Sequence, residues 1–244
     1  MKNISKYIFL SVVVLLVSCK QEKETPKVSY DTNAKDKPVA KTDASSIKVA
    51  DLPINFSGTN ILIHPIGDLS IYSRDKNVAY DSFSSKGESQ QSFAVSDNRE
   101  FEITGYLQNI KFQEIGKDSI KALTDKQILI ETATYLKNIA DKTKKQFLVY
   151  TLADADTNKD GKMDSNDIKT LYISAINGSN FTKLSQDFQE LINWNCMEST
   201  SRLYFRTIED INKNGAFDKD DKVHYNYLDL LSKEWKVQEY FPVN

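Results

Sequence analysis

The chain has 244 residues, with 32 lysines and arginines against 34 aspartates and glutamates, for a net charge of −2. That near balance, with no basic block, argues against nucleic acid as a partner. The length is ample for one hydrophobic core, and a single folded domain is the expectation.

The N-terminus opens with a basic head, Lys2 and Lys6, followed by an apolar run from Ile8 to Val17 broken only by Ser11. A run this short reads as a secretory signal, because a membrane-spanning helix needs about 20 apolar residues. The run ends in Leu16-Val17-Ser18-Cys19, which resembles the lipobox of bacterial lipoproteins. The resemblance implies removal of residues 1–18, acylation of Cys19, and a lipid-anchored place in the cell envelope, with the outer membrane as the expected site. An ordinary signal peptide with an incidental cysteine is the alternative. Residues 20–51 are rich in Lys, acid, Thr, Pro and Ala, with few bulky apolar side chains. Such a composition buries too little surface to offset chain entropy, so 19–51 reads as a flexible tether and 52–244 as the folded domain. The early "KQEKE" (20–24) resembles the acidic export tags of some surface lipoproteins.

Four stretches then repeat one pattern: "ILIHPIGDLSI" (61–71), "IKFQEIGKDSI" (110–120), "LYISAINGSNF" (171–181) and "YNYLDLLSKEW" (225–235). Each alternates apolar residues, passes a polar turn, and reaches a large apolar residue ten positions after the first. Alternation with β-branched and aromatic residues predicts strands, and the turn predicts a hairpin. The second and third copies run on into "IKALT" (120–124) and "FTKLS" (181–185). At these residues the chain resembles the blade repeats of TolB-like β-propellers. The expected fold is mainly β: repeated antiparallel units forming a small or incomplete propeller, with a β-sandwich as the alternative. Residues 124–145 fit two periods. Leu129, Ala133, Leu136 and Ala140 make a helical stripe, with Thr124 and Gln127 placed as a capping box. Ile128, Ile130, Thr132 and Thr134 alternate as a strand does.

The most specific chemistry lies in "DTNKDGKMDSND" (156–167) and its copy "DINKNGAFDKDD" (210–221). Oxygen donors fall at loop positions 1, 3, 5, 9 and 12: Asp156, Asn158, Asp160, Asp164 and Asp167, then Asp210, Asn212, Asn214, Asp218 and Asp221. Lys162 and Ala216 at position 7 would each offer a main-chain carbonyl. A glycine at position 6 permits a sharp turn. Hard cations such as Ca²⁺ take six to eight oxygens, and this spacing wraps one ion. The two loops resemble EF-hand and dockerin calcium loops, with Asp in place of Glu at position 12. Their flanks, "FLVYTLAD" and "IKTLYISAI", then "RLYFRTIE" and "KVHYNYLDL", favour strands rather than helices. The expectation is two structural Ca²⁺ ions, weaker in loop two because it offers three carboxylates against four. The apolar residues at position 8, Met163 and Phe217, are expected to pin the loops to the core.

Cys196, in "INWNCM", is expected to be a buried, inert thiol. His64 and His224 each stand alone on a predicted strand, and no nucleophile elbow, zinc-protease motif or phosphate loop occurs. Two functions follow as expectations. One is a non-enzymatic, calcium-stabilised envelope lipoprotein that binds or scaffolds an envelope protein or glycan. The alternative is a hydrolase or carbohydrate-active protein using paired carboxylates.

Overall fold

The structure, a computed structural model, describes residues 26–30, 46–70 and 94–243. The leader and Cys19 lie outside the described residues. The fold is mainly β, as expected. Its first sheet contains β1 (Ser46–Ala50), β2 (Ile61–Ser70), β3 (Ser96–Asn98), β4 (Glu102–Glu114), β5 (Ile120–Ala122), β6 (Leu129–Tyr135), β7 (Phe147–Ala153), β8 (Thr170–Ala175) and β9 (Thr182–Lys183). The helix α1 (Lys137–Thr143) links β6 to β7. The second sheet contains β10 (Gln189–Met197), β11 (Arg202–Glu209), β12 (Lys222–Asp229) and β13 (Gln238–Glu239). All pairings are antiparallel.

These are unequal sheets rather than equal blades, and the arrangement follows the sandwich-like alternative. Of the four repeats, the second and third form the expected hairpins, turning at Gly116 and Gly178, both with positive φ. The first does not turn: β2 runs unbroken through Gly67 and Asp68. Gly67 is needed there for another reason, since a Cβ would sit 2.9 Å from the Cβ of Val95. In the fourth copy the returning strand, β13, starts only at Gln238, beyond Trp235, and pairs with β12 at Asn226 and Tyr227. The Trp235 ring packs edge-on against Phe147 instead, centroids 5.6 Å apart.

Strand β4 changes partners along its 13 residues. Its first half pairs with β3 and β6, and its second half with β2 and β5. Bulges at Ile66/Gly67, Thr104/Leu107 and Ile130/Thr132 add local twist. The first sheet thereby curls around its own apolar face, burying Ile63, Ile103, Leu107, Ile110, Ile130, Leu148, Tyr150 and Leu152.

Strand β7 is buried on both faces. Leu148, Tyr150 and Leu152 enter that first core, while Phe147 and Val149 enter a second one, shared with Leu171, Ile173, Leu191, Leu203, Phe205 and Leu228. This is why "FLVYTLA" is apolar almost throughout instead of alternating. The Tyr150 hydroxyl, buried in this wall, is satisfied by Ser174 Oγ at 2.8 Å. Truncating Leu148 or Leu171 to Ala would cost about 2–5 kcal/mol.

Residues 124–145 hold both predicted elements in series, strand β6 and then helix α1. The capping box does not form. The Thr124 hydroxyl accepts the N–H of Lys126 in a turn, and the helix N-cap is Leu136, with no side-chain cap. The tether expected over 19–51 also needs correction. Ser46–Ala50 pair along the edge of the first sheet, and residues 26–30 pack onto the body, so the folded part does not begin at Leu52. Among the described residues no helix is long and apolar enough to cross a membrane.

Candidate functional site

The two twelve-residue stretches occupy equivalent places in the two sheets. Residues 156–167 lie in the connection from β7 to β8, whose last ladder pair is Leu152 with Thr170. Residues 210–221 connect β11 to β12 directly after the pair Glu209 with Lys222. Both connections join antiparallel neighbours, and strands flank both, as the flanking sequence predicted.

Within the loops the hydrogen bonding is the same, position for position. The position-1 carboxylate accepts two N–H groups, from Asp160 (3.1 Å) and Gly161 (2.8 Å) in loop one. In loop two they come from Asn214 (3.1 Å) and Gly215 (2.7 Å). The position-3 amide oxygen accepts the N–H of position 5 at 2.9 Å in both loops. Position 5 accepts from position 7 at 2.7 and 2.8 Å, and position 9 accepts from position 11 at 2.8 and 2.9 Å. The position-12 carboxylate reaches back to the N–H of position 2 and across to that of position 9. The backbone also matches: Lys159 and Lys213 at position 4 have φ 59° and 58°, and Gly161 and Gly215 at position 6 have φ 89° and 85°.

The acids are thus oriented by backbone N–H groups rather than by one another. Among the described residues, no group of three or more His, Cys, Asp or Glu is placed to hold a metal ion. The donor set in each loop is mixed, adding an amide oxygen at position 3 and a position-7 carbonyl to the carboxylates. All are hard oxygen donors, the class Ca²⁺ selects. An ionised carboxylate has about four lone-pair sites, so Asp156, accepting two N–H groups, keeps capacity for a cation. The chemistry of these donors fits a hard divalent ion.

Burial differs between the loops. Asp167 is 1% exposed, and burial pushes its carboxyl above the usual range against the pull of N–H donors from Asp164, Thr157 and Asn158. In loop two the buried acid is Asp210, 3% exposed. Met163 and Phe217 are only half-buried and belong to neither core. The anchor of loop one is Ile168, 2% exposed, whose N–H donates to the Thr157 hydroxyl at 2.9 Å.

Residues 26–30, "PKVSY", pack against both loops and were missed in the sequence reading. The N–H groups of Lys27 and Val28 point to the carbonyl of Gly215, at 2.9 and 3.4 Å, and Ser29 N–H donates to the carbonyl of Thr157 at 2.9 Å. The Thr157 hydroxyl donates to the carbonyl of Lys27 at 2.8 Å. Lys27 Nζ pairs with Glu190 of β10 at 2.7 Å. Tyr30 is half-buried, and burial together with the Asp210 carboxylate nearby pushes its pKa up to about 12. One apolar residue in a polar stretch gives little signal, because docking of this kind is carried mainly by the main chain.

The remaining candidates have structural surroundings. His224 lies between Glu209 (2.8 Å) and Glu239 (2.9 Å), tying β13 to β11 across β12, and His64 meets Gln113 at 3.2 Å. Cys196 is half-buried, and burial pushes its thiol up to about 11, so it is protonated and unreactive at neutral pH. A groove of about 290 Å³ beside loop one contains Asp154 and Asp187. Lys183 lies between them and pairs with both at 2.7 Å.

Compared with protein-family models, with curated proteins and with solved structures, the chain gives no significant match to any of them.

Proposed function

We propose that the chain is a calcium-stabilised lipoprotein of the cell envelope whose folded part is a non-enzymatic binding or scaffold domain. The observation that carries the calcium part is the identity of the two loops. Two separate segments, in two different sheets, adopt the same hydrogen-bonded frame around the same order of oxygen donors. Loop one would hold its ion with Asp156, Asn158, Asp160, Asp164, Asp167 and the carbonyl of Lys162. Loop two would use Asp210, Asn212, Asn214, Asp218, Asp221 and the carbonyl of Ala216. In each the cation offsets carboxylate repulsion and closes a long connection between neighbouring strands. No pair of helices flanks either loop, so the ions are read as structural and not as a sensor switch.

The lipid anchor rests on Lys2, Lys6, the apolar run and Leu16–Cys19. Acylation of Cys19 would hold the domain at the membrane, with an envelope protein or glycan as its partner.

The test is a thermal melt of the full chain with calcium or with chelator. A site of Kd near 10⁻⁴ M in about 10 mM calcium gains about 2.7 kcal/mol, so two sites raise the Tm by roughly 10–20 °C. Asp156→Ala combined with Asp210→Ala should erase that difference. A melt of the wild-type chain that is indifferent to chelator sinks the calcium reading. For the anchor, Cys19→Ala should move the protein from the membrane fraction to the soluble one, and unchanged fractionation would refute acylation.

A further inference from the structure

Among the described residues, the segment 26–30 forms hydrogen bonds to both loops and so joins them. It binds the second residue of loop one, Thr157, through both carbonyl and hydroxyl. It binds the sixth residue of loop two, Gly215, through its carbonyl. Val28, between these anchor points, is 2% exposed, as buried as the residues of the cores. The surfaces are closely matched: a Cβ on Gly215 would lie 2.6 Å from the carbonyl oxygen of Val28 and 2.8 Å from Cβ of Pro26. Thr157 also donates its N–H to the position-12 carboxylate Asp167 at 2.7 Å. The segment therefore grips one residue bonded to the last acid of loop one and another, Gly215, whose N–H donates to the first acid of loop two at 2.7 Å.

We infer that residues 26–30 are a clasp that docks only when both loops hold their closed shape, and so couples the two metal sites. This rests on the calcium reading given above. Without an ion, the acids of a loop repel one another and the loop relaxes. Thr157 or Gly215 then leaves the position the clasp requires. Coupling free energies are reciprocal, so calcium that favours docking is itself bound more tightly once the clasp is docked. Filling loop one therefore raises the affinity of loop two, although the loops lie in different sheets.

Two experiments on the full chain test this. The first is limited trypsin digestion, followed by mass spectrometry at the Lys27–Val28 bond. Calcium should slow that cut at least tenfold relative to chelator, and Asp156→Ala should restore rapid cutting even in calcium. The second is a calcium titration by calorimetry. Asp156→Ala should weaken the remaining site, loop two, at least fivefold, and Val28→Asp should make the two sites independent. Should Val28→Asp fail to fold, the digestion of wild type and of Asp156→Ala still decides the matter. If two calcium ions bind and raise the Tm, yet the Lys27–Val28 bond is cut equally fast with or without calcium, the clasp is wrong and the calcium reading survives. If calcium binds neither loop, both ideas fall together.

Discussion

Loop one and loop two share a backbone frame but bury opposite ends. In loop one the position-12 acid, Asp167, is inside, covered where the Thr157 hydroxyl bridges to Ile168. In loop two the position-1 acid, Asp210, is inside, beneath Tyr30 and the clasp. Position 2 shows the contrast most simply: Thr157 makes three hydrogen bonds to the clasp and to Ile168, whereas Ile211 is 54% exposed. The order of acids and glycine sets the frame, because positions 1 to 9 accept from N–H groups two to five residues on, and position 12 closes the loop back on position 2. Which acid is desolvated is decided by whatever packs over the loop, and that comes from distant sequence.

The strongest way to break this comparison is to remove the buried acid of loop two in metal-free protein. Asp210→Ala strands two N–H groups beside the buried site, and should cost about 2–4 kcal/mol by urea denaturation in chelator. Asp156→Ala, at the same position in loop one but more exposed, should cost about half as much. Equal losses would show that burial does not separate the loops.

The position-6 glycines come next. Both need positive φ, which costs a side chain about 1 kcal/mol. Gly215 faces the clasp backbone at close range. Gly215→Ala should therefore lower stability by about 2 kcal/mol or more and expose the Lys27–Val28 bond.

A smaller contrast is expected at position 2. Thr157→Val should cost about 1 kcal/mol through its lost hydroxyl bonds, and Ile211→Val less than about 0.5 kcal/mol. Last is the charge difference. Asn214→Asp gives loop two the four carboxylates of loop one. It should tighten calcium binding at loop two several-fold in a calorimetric titration. It should also destabilise the chelated protein slightly, since Asn214 now donates to Asp218 at 3.4 Å and an acid there would repel it. A change of the same sign with and without calcium would contradict the assignment of Asn214 as a ligand.

The loops were legible in the sequence because their information is local: donor spacing, the glycine and the strand-forming flanks all fall within a few tens of residues. Strand content was legible for the same reason. Sheet partnership was not. "ILIHPIGDLSI" and "IKFQEIGKDSI" share five identities, yet one is a single strand and the other a hairpin: Val95 packs on Gly67, while the space where a Cβ on Gly116 would stand is open. Residues 124–145 satisfied two periods because they contain two elements in series. The segment 26–30 was least legible: its polar attachments include two carbonyls, a hydroxyl and an ion pair, from three distant residues, Thr157, Glu190 and Gly215.

The clasp also sets a length. In the proposed anchored form, Cys19 sits at the membrane surface and Pro26 is seven residues further on. A chain of seven residues spans at most about 25 Å, so a docked clasp would keep Pro26 within that distance of the bilayer. The next described residue paired with the body is Ser46, and the 27 residues from Cys19 would allow a reach of about 90 Å. On the calcium reading, one short segment would give the anchored domain two radii of action, a close one with calcium and a long one without it.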